Sequence, residues 1–355
     1  MQYVITKTGL DLFDTARAWG LAAFVSTLTQ GPVRLCDEVA SFRVEPEDPI
    51  STPDVTGLLG LIPAENDGSW SFVFTTLGAN ERSKKVRLLR ETLTTLATEP
   101  ARVSQIFSGA GETLVFTGSG GESLPGALDP AGFKGVRQKT RARYGEDQLK
   151  VDLIQWAVAC LGMALCGSYR RIQSGGVSRT LVLLPVPLDV RVNQAAEISE
   201  LARCARGSNY LSAAVMAAHA AVNLAERLRK RVAATGQLQD RFSEIIFFEL
   251  FRTGNQPKPA QGNRVRLDRL LDIVRNSPDE AEAIFTWLDY CFRRGAVRGT
   301  EELALAATAL VFHWDLESYE RLVRSFVRLL ATNEIKNENR PPEKVVKEVT
   351  GYVTV

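Results

Sequence analysis

The chain has 355 residues, 45% of them hydrophobic and 24% charged. That balance excludes a disordered chain, a collagen-like fibre and a polytopic membrane protein, and the length suits two or three domains. The 43 basic and 41 acidic residues leave a formal charge of only +2, so total charge names no partner.

The first thirty residues lack a basic leader, and Asp11 and Asp14 precede the apolar stretch, the reverse of a secretory signal. Tyr3–Thr6 reads as a short strand. A helix follows from Asp11 or Asp14, with Leu12, Phe13, Ala16, Trp19, Ala23 and Val25 as its apolar face. From Pro32 to about Gly121, short apolar runs (Val33–Leu35, Ser71–Phe74, Leu114–Phe116) alternate with Gly, Pro, Ser and Asp. These read as strands and turns, interrupted by one helix over Ser83–Thr98. Ser119–Gly135 reads as a loop or boundary.

Val151–Cys166 reads as a helix; its uncharged run, Leu153–Gly167, is too short to span a bilayer. Ser168–Gln173 and Ser178–Pro185, joined through Gly175-Gly176, read as a hairpin. Pro185 and Pro187 suggest that its second strand ends there or runs at a sheet edge. Helices are expected at Gln194–Ala205, Tyr210–Val232 and Arg241–Phe251, then a polar loop over Thr253–Asn263. Further helices are expected at Arg266–Arg275, Asp279–Arg293, Glu301–His313, Leu316–Leu330 and Pro342–Tyr352. The fold class is α+β: a mixed domain over residues 1–265, with a strand-rich middle and a hairpin, then a helical bundle over 266–355.

No catalytic constellation stands out. The two histidines, His219 in an Ala-rich helix and His313 beside Trp314, read as structural. There is no G-x-S-x-G elbow, H-E-x-x-H pair or EF-hand loop, and the glycine runs Ser108–Gly111 and Gly118–Gly121 fit no phosphate-loop pattern. Pro278-Asp279 and Glu334-Ile335-Lys336 resemble pieces of a carboxylate-metal nuclease, but Asp279 reads as a helix cap. Asp11 and Asp14 read as helix-start residues. Cys36, Cys160, Cys166, Cys204 and Cys291 form no C-x-x-C pair and read as buried thiols of a cytoplasmic protein. No cofactor or metal is expected, and the chain reads as a non-enzyme.

Charge is strongly segregated. Residues 1–70 carry four basic and ten acidic groups; residues 131–180 carry nine and three; residues 227–269 carry ten and four. The first basic segment holds Lys134, Arg137, Lys139, Arg141 and Arg143, with Arg170, Arg171 and Arg179 on the expected hairpin. The second, Phe251–Arg266, holds Arg252, Lys258, Arg264 and Arg266 among Asn255, Gln256, Gln261 and Asn263, with no acid. Arginine and lysine serve phosphates and guanine edges, while asparagine and glutamine read adenine edges or hold sugars. A third feature, Arg321, Arg324 and Arg328, makes a helix stripe that reads as the wet face of an amphipathic helix.

The layout resembles a known family. An N-terminal helix after Thr8-Gly9-Leu10, a strand-rich middle, the hairpin Tyr169-Arg170-Arg171…Gly175-Gly176…Leu183-Leu184-Pro185-Val186-Pro187 and a helical C-terminal part resemble the large subunit of type I CRISPR surveillance complexes (Cascade), of the type I-A or I-B kind. The resemblance implies a non-catalytic ribonucleoprotein subunit in antiviral defence. Such a subunit contacts other effector subunits, the guide RNA and the duplex motif flanking target DNA, and helps recruit a helicase-nuclease. It implies a protein-facing role for the acidic N-terminal part. The rival expectation is a helical scaffold or regulatory protein that binds only other proteins.

Overall fold

A computed structural model describes residues 2–49, 55–64, 68–74, 77–109, 115–117, 120–130, 138–139, 143–144, 149–174, 177–192, 211–253 and 256–331. For residues 169–174, 177–178, 252 and 256–261 the description is of backbone only. The α+β class holds. The chain forms two compact units: residues 1–203 with Phe248–Gly262, and Cys204–Phe247 with residues 263–355. This division differs from the expected boundary at 265/266, because a helix that precedes the boundary groups with the C-terminal helices. Among the described residues no helix is long and apolar enough to cross a membrane.

In the first unit, β1 (Tyr3–Thr6) pairs with β3 (Ser41–Pro46), and β3 with β2 (Val33–Asp37). β2 in turn pairs with β9 (Val177–Val192), and β9 with β8 (Ser168–Ser174), all antiparallel. Tyr3, Ile5, Val33, Leu35, Phe42, Val44, Val190 and Val192 alternate onto one buried face, as a half-buried sheet requires. Ser174 stands opposite Val177, so the expected hairpin is present. Its second strand does not end at the prolines. Pro185 and Pro187 fall between Leu183, the last residue paired with β8, and Asp189, the first paired with β2. Neither ladder calls on their missing N–H.

Helix α1 (Asp11–Thr29) is the spine of this unit. Seventeen of its nineteen residues are buried, so it is apolar on all sides rather than amphipathic. Asp14 fixes its start, accepting hydrogen bonds from Thr8 N (2.7 Å), Thr8 Oγ1 (3.0 Å) and Gly9 N (3.0 Å). Asp14 also pairs with the buried Arg17 (2.6 Å), whose guanidinium donates to Gln155 Oε1 (3.0 Å) and Thr6 O (2.8 Å). Trp19 Nε1 donates to Pro185 O, pinning α1 to β9 (2.8 Å).

The strand-rich middle expected from the sequence is mostly helical: α2 (Val55–Leu61), α3 (Gly68–Val73), α4 (Ala79–Thr98) and α5 (Pro100–Ile106). Ser71–Phe74 is not a strand. Trp70, Val73 and Phe74 sit at helical spacing, Phe74 N donates to Trp70 O (2.9 Å), and the two rings stack. The Leu114–Phe116 run is partly extended, with Phe116 bridging Val151; Leu114 lies outside the described residues. Within Ser119–Gly135, β4 (Glu122–Ser123) and the buried Leu124, Ala127 and Leu128 belong to the core and mark no boundary. Two short strands, β5 (Gln138–Lys139) and β6 (Arg143–Tyr144), pair with each other, and β7 (Lys150–Val151) pairs with β4.

Helix α6 (Leu153–Cys166) starts at Asp152, whose carboxylate accepts from Ile154 N and Gln155 N. It crosses α1 at a pair of glycines. A Cβ on Gly20 would lie 1.9 Å from Val158 O, and one on Gly162 1.9 Å from Ala16 O. Only glycine lets the two backbones approach this closely.

The second unit contains α7 (Ala213–Thr235), α8 (Asp268–Asn276), α9 (Pro278–Arg294), α10 (Glu301–His313) and α11 (Leu316–Ala331). Ser212 caps α7, and Gly236 ends it at φ +72°. Asp279 lies in the first turn of α9, with Pro278 at its start, so it is not itself the N-cap. Trp287, Tyr290, Tyr319 and Phe326 make edge-to-face contacts in this unit's core. The expected helices at Gln194–Ala205 and Pro342–Tyr352 lie outside the described residues.

Two expectations are overturned in the segment with the strongest basic signal. Arg241–Phe251 is not a helix but most of β10 (Arg241–Thr253), and Thr253–Asn263 is not a loop but leads into β11 (Gln256–Arg266). Ile245 to Leu250 are buried without interruption. A run apolar on both faces satisfies helical spacing as easily as an interior strand, and its β-branched and aromatic content favours the strand. The sheet order is β1-β3-β2-β9-β10-β11.

Candidate nucleic-acid interface

Because β9 and β10 are neighbours in the sheet, two basic segments far apart in sequence meet in the first unit. Arg170 and Arg171 lie on β8 opposite Leu181 and Thr180 of β9, and Arg179 lies on β9 itself. Arg179 is half exposed. It reaches Glu249 of β10 at 3.7 Å, and its guanidinium stands 5.8 Å from the Phe251 ring. Arg252 follows Phe251 on β10, and Gln256, Lys258 and Gln261 lie on β11. The backbone thus assembles Arg170, Arg171, Arg179, Arg252 and Lys258 on four strands of one sheet. Successive residues of a strand face opposite ways, so Arg170 and Arg171 take opposite faces. Asn255 lies outside the described residues.

The last residues of β11 belong to the second unit. Asn263, Arg264 and Arg266 are exposed, while Val265 between them is buried. Arg264 donates through Nη1 to Glu244 Oε1 on β10 (2.8 Å), and its backbone N–H donates to Asn263 Oδ1 (2.8 Å). Arg266 is 78% exposed and stands 3.4 Å from Asp268. Leu267 N donates to Ser243 O, tying the base of the hairpin. Arg269, in the first turn of α8, is also exposed and adds a cation that the sequence reading passed over. Its position within three residues of Arg266 was visible; its exposed side of α8 was not.

The other expected basic residues are less assembled. Lys139 and Arg143 are cross-strand partners in the small β5–β6 pair, while Lys134 and Arg141 lie outside the described residues. On α11, Arg324 pairs with Glu320 (2.9 Å), and Arg328 stands 3.9 Å from Glu302. With Arg321, Glu317 and Ser325 these side chains line a groove of about 400 Å³ in which acids alternate with bases. An alternating groove is not an all-basic phosphate track, as expected of an amphipathic helix's wet face.

The groups weighed for catalysis are engaged elsewhere. His219 is buried, stacks on Phe292 at 4.8 Å, and places Nε2 2.8 Å from Asp289 Oδ1. Burial alone would raise the Asp289 carboxyl, but the His219 hydrogen bond and the charges of His219 and Arg293 outweigh it and hold it below its ordinary value. Asp11 is exposed while Asp14 is buried on Arg17, so the two form no shared site. Glu334 lies outside the described residues. Cys36, Cys160, Cys166 and Cys291 are free and buried, and burial pushes the last three thiols well above their ordinary range. Cys204 lies outside the described residues. Among the described residues no three His, Cys, Asp or Glu side chains come close enough to hold a metal ion.

No protein-family model matches the chain. A protein of Archaeoglobus fulgidus, described as an uncharacterized protein, is 26% identical over 362 residues, covering all of this chain and 99% of that one.

Proposed function

We propose that this protein is a non-catalytic nucleic-acid-binding subunit of a type I CRISPR effector complex, acting in the cytoplasm in antiviral defence. It contacts the flanking-motif duplex of target DNA and the guide RNA, alongside other effector subunits and a recruited helicase-nuclease. The observation that carries the reading is the gathering of Arg170, Arg171, Arg179, Arg252 and Lys258 on adjacent strands of one sheet, although they come from segments on either side of α7. Cations concentrated in this way, with Gln256 and Gln261 among them, suit a phosphate backbone first and base edges second.

The test has two arms. A tagged pull-down from the native host should return repeat-derived guide RNAs with several stoichiometric proteins. Purified chain should bind duplex DNA in a salt-dependent way at about 0.15 M salt, and binding should weaken in the Arg264→Glu/Arg266→Glu variant. No RNA in the first arm and unchanged binding in the second would overturn the reading.

A second reading, a scaffold that binds only proteins, is favoured by one specific feature. Arg179, Arg264, Arg324 and Arg328 each stand near a carboxylate, so phosphate would have to displace an existing ion pair. It predicts no retained nucleic acid at about 0.15 M salt.

A further inference from the structure

The tip of the β2–β3 hairpin carries an exposed apolar side chain on a strained backbone. Val39 is 90% exposed and has φ +65°. A single exposed valine is ordinary on a protein surface. A β-branched residue in the left-handed region is not, because its two γ-methyls crowd the backbone there; glycine or asparagine would occupy the position more cheaply.

The tip is also held still. Asp37 Oδ1 accepts from Val39 N (2.9 Å) and from Lys7 Nζ (2.6 Å). Glu38 N donates to Ser41 O (2.8 Å), Ala40 N to Glu38 O (2.7 Å), and Lys7 N to Ala40 O (2.9 Å). Arg43 reaches Glu38 from the next strand (2.6 Å). A strained, rigid and solvated apolar point gains nothing from its own chain. Such strain persists where the surroundings over-determine it, and it gathers at functional contacts.

We propose that this tip is a protein-docking element, in which Val39 seats in an apolar socket whose rim is basic. Rigidity favours the contact because little freedom remains to be lost on binding. Charge selects the class of partner. The exposed tip residues Glu38, Val39 and Ala40 bring one negative charge and no positive one. The solvent side of this sheet adds Glu45, Glu47, Asp48 and Asp189 against Arg34, Arg43 and Arg191, and residues 1–70 hold ten acids to four bases. A phosphate backbone would be repelled here, whereas a lysine- or arginine-rimmed pocket is complementary. The proposal stands independently of nucleic-acid binding by the basic strands.

A photo-crosslinking amino acid placed at position 39 of the full chain, expressed in the native host, tests it. The expected product is one discrete protein adduct, with the crosslinked peptide apolar and flanked by Lys or Arg. Binding of that purified partner should then fall at least tenfold for Val39→Asp, while Val39→Asn keeps or raises the chain's own Tm and still weakens binding. A nucleic-acid or lipid adduct, or no adduct, overturns the proposal. So does a Val39→Asp affinity within twofold of the parent, or a lowered Tm for Val39→Asn, which would show that the valine is worth keeping for the fold alone.

Discussion

The crossing of α1 and α6 makes a quantitative demand on two glycines. In an exposed helix, Gly→Ala stabilises by about 1 kcal/mol through helix propensity. At Gly20 the new methyl would lie 1.9 Å from Val158 O and 2.8 Å from its carbonyl carbon. At Gly162 it would lie 1.9 Å from Ala16 O and 2.5 Å from Gly20 N. All are backbone atoms, which cannot swing aside as a side-chain tip can. To bring the contact to an ordinary 3.4 Å, the helices must part by about 1.5 Å. A gap of even about 0.5–1 Å forfeits a quarter to a half of the dispersion well for every atom pair across it. α1 is buried on nearly every side and has nowhere to shift without disturbing the sheet beneath it. Overpacking of a tight core costs about 1–3 kcal/mol, and lost contacts along the crossing add to it. The expected net effect of Gly20→Ala or Gly162→Ala is a loss of about 2–4 kcal/mol after the propensity gain. Gly60, in α2 with nothing within 4 Å of its would-be Cβ, is the control. Gly60→Ala should stabilise by about 0.5–1 kcal/mol. Urea unfolding of the three variants measures this, with hydrogen exchange of α1 and α6 peptides reporting on the first unit separately, because a two-unit chain need not melt in one step. If Gly20→Ala and Gly162→Ala behave like Gly60→Ala, the backbones do not touch and the reasoning fails.

Other consequences follow from the buried polar groups. Arg17→Met strands the Asp14 carboxylate and removes the donors to Gln155 and Thr6, so urea unfolding should show a loss of about 3–5 kcal/mol; a loss under about 1 kcal/mol would mean the pair is solvated. Asp289 is held below its ordinary value of 3.8, so its contribution is present above that pH and fades as the solution is acidified through the folded-state value. The stability difference between the parent and Asp289→Asn should therefore be largest near pH 5–7 and shrink below about pH 3.8; a pH-independent difference would refute the charged interaction. Cys160, Cys166 and Cys291 should resist an aromatic disulfide reagent at pH 8 until denaturant is added, and rapid native labelling of any of them, read by mass spectrometry, would contradict their burial.

The long helices were legible in the sequence because each carries its own periodicity and punctuation. Asp14 opens α1, Asp152 caps α6, Ser212 and Gly236 bracket α7, and α8 to α11 show apolar stripes that need no knowledge of what they meet. The β8–β9 hairpin was legible for the same local reason, a two-residue glycine turn between strand-like runs. Strand β10 was not. Its run from Ile245 to Leu250 is apolar on both faces, and only a neighbouring strand, supplied by β9 from the other side of α7, decides that it is extended. Once β10 is a strand, the polar Gln256–Arg266 becomes its hairpin partner rather than a loop, since unpaired backbone groups beside it are satisfied that way. The helices of residues 55–73 were hidden in the opposite direction: they are short, and glycine and proline nearby imitate turns. Composition by itself determined that the basic groups lie in two segments. Tertiary pairing decided that they share a sheet, and that Glu244 and Glu249 stand against two of the arginines. Periodicity is a property of neighbours along the chain, whereas strand pairing and charge pairing depend on residues far away in sequence, whose encounter no local pattern records.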